Sequence, residues 1–379
     1  MSIKLKPLSE QVMVILGGAS GIGRATAQRA ARKGATVFVA ARDTDALASI
    51  VDEITLAGGK AAYVACDVTD EAQVRHVARD AVARFGRIDT WVNVAGVSVY
   101  ARFEDTTPEE FRQIMDVNFI GFVHGAQAAL PYLREHGGAL IVISSVESIV
   151  ALPLHSAYSA SKHAIEGAFD GLRRELMAEK APVSVTSIKP ATINTPFFSN
   201  AGSKLDVMPK GPPPIYQPEM VADCVLYAAE HPVRDLFAGG AGKAMAVNQK
   251  LAPRLMDAML AKFGIPASKT STPTPNGQGG NLYIAEPEDR TRGDFERRAR
   301  PSAYTWLQLH PFARTLALGA VATGAVALRR RAVAERRRTP EPVVKSLPAP
   351  EQLEQGGGND NDVVVIEVEY AERSIEPAL

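Results

Sequence analysis

Tyr158 and Lys162 stand four apart in Tyr158-Ser159-Ala160-Ser161-Lys162, and Ser145 lies thirteen residues before the tyrosine. Four residues is about one helical turn, so phenol and ammonium share a face. An ammonium beside a phenol favours the phenolate and predicts a pKa below the free value near ~10. Such a tyrosine can exchange a proton with a substrate oxygen near neutral pH. Ser145, closing Val142-Ile143-Ser144-Ser145, can hold that oxygen by hydrogen bonding. Ser144 is the weaker candidate, because strand alternation turns it to the other side. A Tyr and a Lys so spaced also occur as plain surface pairs, so the weight rests on the surroundings. His155 and His163 flank the pair and read as packing or rim residues.

The front of the chain supplies a second motif. Val12–Leu16 is a short apolar run, read as a buried strand. It leads into Gly17-Gly18-Ala19-Ser20-Gly21-Ile22-Gly23 and then a helical pattern. Glycines let the backbone turn sharply and approach a pyrophosphate, and the helix start favours negative charge. The spacing Gly17-x-x-x-Gly21-x-Gly23 differs from GxGxxG, and a purely structural glycine turn is the alternative. After the next apolar run, Thr36–Ala40, comes Ala41-Arg42-Asp43. An acid at that strand end would bind a ribose 2′-hydroxyl and select NAD(H). Arg42 instead suits a 2′-phosphate, which predicts NADP(H). Asp43 falls one residue late for the ribose, and a solvated Arg42 is the alternative.

Strands are expected near 12–16, 36–40, 61–65, 90–93, 139–144 and 183–189. Helices are expected near 22–33, 44–57, 71–85, 108–135, 157–179 and 218–230. This alternation predicts an α/β fold with a doubly wound parallel sheet. The glycine turn, Asn93 and Ser145 then fall at carboxyl ends of strands, where such sheets bind ligands.

These motifs, in this order, make roughly residues 9–235 similar to the short-chain dehydrogenase/reductase family. Asn93-Val94-Ala95-Gly96 resembles the family's NNAG, with Val94 for the second Asn. Cys66-Asp67-Val68 resembles its acidic turn at the adenine. Pro190-Ala191-Thr192-Ile193-Asn194-Thr195 resembles PGxxxT, with Ala191 for Gly, and Leu16 replaces a usual Thr. The resemblance implies a Rossmann fold and hydride transfer between nicotinamide and a carbonyl or secondary alcohol. It implies that Tyr158 is the acid/base, that Lys162 lowers its pKa and binds the nicotinamide ribose, and that Ser145 stabilises the substrate oxygen. Asn118 falls at the fourth catalytic position, where it would hold a relay water. The glycine turn (Gly17, Ser20, Gly21, Ile22, Gly23), Asp67, Val68, Asn93, Ala95 and Gly96 would line the cofactor groove. Pro190, Ile193 and Thr195 would meet its nicotinamide end. Residues 197–216 would cap the substrate, a small lipophilic carbonyl or alcohol; the adjacent Phe197 and Phe198 either line it together with Val97 and Tyr100 or pack the loop down. A homodimer or homotetramer is implied through the helices near 108–135 and 157–179. The alternative function is a non-catalytic NADP(H)-binding scaffold or redox sensor whose C-terminal extension contacts partners.

The chain has 379 residues with 42 basic and 42 acidic side chains, a balance that argues against nucleic-acid binding. Cys66 and Cys224 give neither a disulfide framework nor a CxxC, which fits a cytoplasmic setting. No metal-ligand spacing appears. The apolar run after Lys4 and Lys6 is too short for a signal peptide. Residues 1–240 read as the catalytic domain and 241–265 as an amphipathic helical extension interrupted at Pro253. Residues 266–301 read as a linker, 302–338 as an apolar, arginine-flanked helix, and 339–379 as a disordered acidic tail. Uncharged residues 315–328 would reach about 21 Å as a helix, short of a ~30 Å hydrocarbon core. Lying on an anionic membrane surface, spanning the membrane and packing on protein all remain open.

Overall fold

A computed structural model describes residues 3–273, 280–285 and 287–338. The chain divides after Ala317 into two units. The first is built on seven strands: β1 (Val12–Leu16), β2 (Thr36–Ala41), β3 (Lys60–Ala65), β4 (Thr90–Asn93), β5 (Gly138–Ile143), β6 (Val183–Pro190) and β7 (Asp235–Ala238). They pair in the order β7-β6-β5-β4-β1-β2-β3, all parallel. The apolar runs form central strands because both faces are covered, and every residue of β1 and β6 is buried. The order reverses between β1 and β4, so a crevice opens beyond their carboxyl ends. Six strands were expected. The seventh, β7, pairs Asp235–Ala238 with Ser187–Pro190 and was hidden by its brevity.

Helices cover both faces. On one, α1 (Gly21–Arg32) and α7 (Pro218–Glu230) enclose a core with Met13, Ile15, Val37 and Ile141. On the other, α3 (Glu71–Phe85), α5 (Gly121–His136) and α6 (Ser156–Ala178) enclose Trp91, Phe122 and Leu140. Helix starts carry the expected acceptors: Asp43 accepts from Asp45 and Ala46 N–H at the head of α2 (Thr44–Leu56), and Asp70 does the same for α3. The helix expected over 108–135 is three pieces. A capping box of Thr107 and Glu110 starts α4 (Pro108–Met115), Asp116–Ile120 is a widened π turn, and α5 follows. Asn118 sits in that widened turn, and such bulges favour functional positions.

The extension differs most from expectation. Pro253 does break the helix: α8 (Gly240–Leu251) stops at Ala252 and α9 (Pro253–Ala267) restarts with proline in its first turn. Yet α8 and α9 belong to the same compact unit as the sheet, so residue 240 is no domain boundary. The described part of 266–301 is not a linker. Lys269–Pro273 pairs antiparallel with Val207–Pro209, and Ala299–Arg300 pairs parallel with Ile215–Tyr216. Leu282 is 1% exposed in the main core, and Phe295 packs with Phe198. Two apolar anchors in a polar stretch suffice to bind it down. Next, α10 (Ala303–Leu309) docks by its Thr305 hydroxyl, which accepts the Gly239 N–H at 2.9 Å. Finally, α11 covers Pro311–Arg338. No helix among the described residues is long and apolar enough to cross a membrane. The acidic tail at 339–379 lies outside the described residues.

Candidate active site

Three elements meet at one cleft: the end of β5, the start of α6 and the loop after β6. Ser145 follows β5 and is extended, and its Oγ accepts the Glu147 N–H at 3.0 Å. Tyr158 and Lys162 lie on the first turns of α6, on one face as their spacing requires. Lys162 is 2% exposed; its Nζ donates to the Ile143 carbonyl at 2.9 Å and stands 5.4 Å from the Tyr158 ring centroid. Ser145, Tyr158 and Lys162 line this cleft together with Pro190, Ile193 and Thr195. Tyr100, Phe197 and Phe198 supply apolar wall, and Leu152, Pro212–Pro214 and Met245 complete it. Ser144 also reaches the cleft, and its buried hydroxyl has no hydrogen-bond partner among the described residues.

The electrostatics depart from the expected phenolate. Burial, then the Glu147 carboxylate, push the Tyr158 phenol up; the Ser145 hydroxyl pulls the other way. Burial holds the Lys162 ammonium down to about 7, although Glu147 and Glu166 oppose the shift. A lysine so readily neutralised supplies little charge to lower its neighbour.

A second groove adjoins the first, sharing Ile22, Val94, Gly96, Thr195 and Phe197. Gly17, Ser20, Gly21, Asp67, Val68, Ala95 and Val97 line it, together with Arg42 and Asp43. Two glycines are required here. Gly17 has φ +91°, and a Cβ on it would sit 2.6 Å from the Ala95 nitrogen. A Cβ on Gly23 would sit 1.9 Å from the Gly17 carbonyl oxygen, so Gly23 acts by letting α1 close on the turn. Ser20 precedes α1 without a side-chain cap, which leaves helix-start amides for an outside acceptor. The donor turn, the acidic and basic groups and the crevice position fit a dinucleotide.

Asn93 and Asn118 are both held by hydrogen bonds inside the fold. Asn93 is fully buried: its Oδ1 accepts the Trp91 indole N–H at 3.1 Å and its Nδ2 donates to the Phe122 carbonyl at 3.4 Å, so it ties β4 to α5 instead of lining the groove. Asn118 accepts the Val97 N–H and donates to the Val97 carbonyl and Ser161 hydroxyl, which fixes the loop under the groove.

Sequence reading missed the extension's part in this groove. Asn281, Ala285 and Glu288 line it. The Arg42 guanidinium donates to the carbonyls of Asn281 at 2.8 Å and Tyr283 at 3.2 Å. Gly21 N–H donates to the Arg290 carbonyl at 3.0 Å, and Glu288 N–H donates to Asp43 Oδ2 at 3.1 Å. It also missed Glu147, and it read His155 as packing or rim without its contact: the fully buried ring stacks on Tyr158 with centroids 4.4 Å apart. Their positions two after Ser145 and three before Tyr158 were the available signal. His163 is exposed on α6, and its Nδ1 meets the Ser159 carbonyl at 2.8 Å.

Comparison with known proteins agrees with this arrangement. Residues 11–206 match the model described as short chain dehydrogenase. An oxidoreductase of Bacillus subtilis, YxnA, is 40% identical over 305 residues, which cover 80% of this chain and 86% of that protein. An alcohol dehydrogenase from the archaeon Thermococcus sibiricus, solved with 5-hydroxy-NADP, superposes with TM-score 0.52 at 27% identity, covering 60% of this chain and 95% of that one. A short-chain dehydrogenase/reductase from Burkholderia phymatum, solved with NAD, shares the fold with TM-score 0.60 at 24% identity over 66% of this chain and 96% of its own. The chain is an oxidoreductase that belongs to the short-chain dehydrogenase/reductase family.

Proposed function

We propose that the protein is an NADP(H)-dependent oxidoreductase acting on a small lipophilic carbonyl or secondary alcohol, with Tyr158 as its acid/base. The observation that carries this reading is the meeting of Ser145, Tyr158 and Lys162 on a cleft wall that opens into the dinucleotide-type groove. When bound there, the nicotinamide would supply or accept the hydride. Tyr158 gives its phenolic proton to the carbonyl oxygen in reduction and recovers it in oxidation. Ser145 donates to the same oxygen and orients it. The raised phenol favours the protonated form, which suits reduction. Lys162, close to neutral pH in its titration, can pass the proton onward. Phe197, Phe198, Leu152 and Met245 make the cleft apolar, which supports a lipophilic substrate.

Arg42 supports NADP(H) over NAD(H). It lies in the groove, and its N–H groups rest on two neutral carbonyls. A 2′-phosphate would add an opposite charge and a geometry that the planar guanidinium fork can meet with two parallel bonds. The test is side-by-side fluorescence titration with NADPH and NADH, followed by turnover on a panel of carbonyls. Tyr158→Phe should lower kcat by about 10²- to 10⁴-fold while NADPH binding survives. Normal turnover in that variant would remove Tyr158 from the mechanism. Tighter binding of NADH would remove the phosphate role of Arg42.

A further inference from the structure

Glu147 and His155 are buried together behind the acid/base. Glu147 is 7% exposed in the short turn Val146–Ser148 after β5, and His155 is 1% exposed just before α6. The imidazole lies between two phenols, stacked on Tyr100 (centroids 4.2 Å, planes 18° apart) and on Tyr158 (4.4 Å, 15°). Its Nδ1 is 2.9 and 3.0 Å from the two Glu147 oxygens, and its Nε2 meets the Ser98 hydroxyl. Glu147 Oε2 also accepts the Ser159 hydroxyl at 2.7 Å. The Glu147 N–H meanwhile donates to the Ser145 hydroxyl. The pair is therefore joined to Ser145 by a hydrogen bond and to Tyr158 by ring stacking.

A carboxylate removed from water needs a partner, and here the nearest are an imidazole N–H and one hydroxyl. Apolar packing of Tyr158 could be had from any aromatic residue at 155. A buried charge so close to the reacting groups has a stronger consequence, because it acts through a medium that screens weakly. The titratable groups that face the pair are Tyr100, Tyr158 and Lys162. Behind Ser148, Glu166 faces the same region from α6, paired with Lys189 at 2.9 Å.

We infer that Glu147 and His155 are positioning residues for the acid/base: the imidazole fixes the plane of the Tyr158 ring, and the carboxylate sets the pH range over which Tyr158 and Lys162 exchange protons. The inference rests on the assignment of Tyr158 above. The field of Glu147 acts in one sense on both groups, raising the phenol and the ammonium alike. It thereby keeps the phenol protonated, as reduction requires, and opposes the burial that strips Lys162 of its proton.

The experiment is the pH profile of kcat/KM for the wild-type chain and Glu147→Gln, with NADPH affinity and Tm measured for each. Removing the negative charge lets both groups lose their protons more easily, the phenol becoming charged and the ammonium neutral. The alkaline limb in reduction and the acidic limb in oxidation should each move to lower pH by about one unit, the scale of one charge at close range. Glu147→Asp keeps the charge and should lower kcat with a smaller displacement of the limbs. It also serves if Glu147→Gln fails to fold. A purely structural role would lower Tm or kcat at every pH and leave the limbs in place; that result overturns the inference. A wild-type chain that neither binds dinucleotide nor turns over would instead overturn the Tyr158 reading itself.

Discussion

A buried lysine leaves a trace in stability as well as in catalysis. Lys162 titrates near 7 in the folded chain, below its ordinary 10.5, with burial as the main cause. Between those values the unfolded chain holds a proton that the folded one has released, so this group makes stability rise with pH across that window. Its penalty is complete below about 7 and gone above 10.5. Lys162→Met carries no such penalty. The Tm of that variant relative to wild type should be highest at about pH 6 and fall toward about pH 10. A difference that stays flat would mean the ammonium remains charged throughout. The lysine itself was legible, since Tyr and Lys four apart on a helix must share a face. The direction of the phenol's shift was not. The sequence spacing presents the ammonium, but neither the depth of the site nor the approach of Glu147 from a separate turn is written in it.

At the scale of elements, regular segments were legible where one periodicity ran unbroken. β1 and β2 are continuous apolar runs and were placed within a residue of their bounds. The π turn at Asp116–Ile120 was not legible, because one extra residue per turn leaves the helical pattern of 108–135 almost intact. The segment around 281–295 misled for a different reason. Its composition is that of a linker, yet Leu282 and Phe295 anchor it, and main-chain groups do the rest. Its carbonyls at Asn281, Tyr283 and Arg290 occupy Arg42 and the Gly21 N–H, donors that a phosphate would also use. A site open only part of the time binds more weakly by that fraction. Leu282→Ala removes an anchor whose loss costs roughly 2–5 kcal/mol in a packed core. It should free this segment more often and tighten NADPH binding by about tenfold in a fluorescence titration. Weaker binding in Leu282→Ala would show the opposite role, a cover that closes over the cofactor.

For the whole molecule, the order of motifs disclosed the fold better than any one motif, because a doubly wound sheet fixes which strand ends meet. The glycine turn after β1, Asp67 after β3 and Ser145 after β5 lie far apart in sequence and reach adjoining clefts through that order alone. Nothing comparable constrains residues 302–338, where composition is the main guide. Residues 315–328 carry no charge, and Arg329-Arg330-Arg331 and Arg336-Arg337-Arg338 follow. Apolar residues beside clustered arginine suit the surface of an anionic bilayer. The full chain should therefore float with vesicles containing phosphatidylserine and much less with purely zwitterionic ones. Raising salt from about 0.1 M to 1 M shortens the Debye length from ~10 Å to ~3 Å and should release much of it. Equal recovery on both vesicle types, unaffected by salt, would make the arginines irrelevant to any membrane contact. No recovery on either would end the membrane reading and leave the segment as a helix for protein partners.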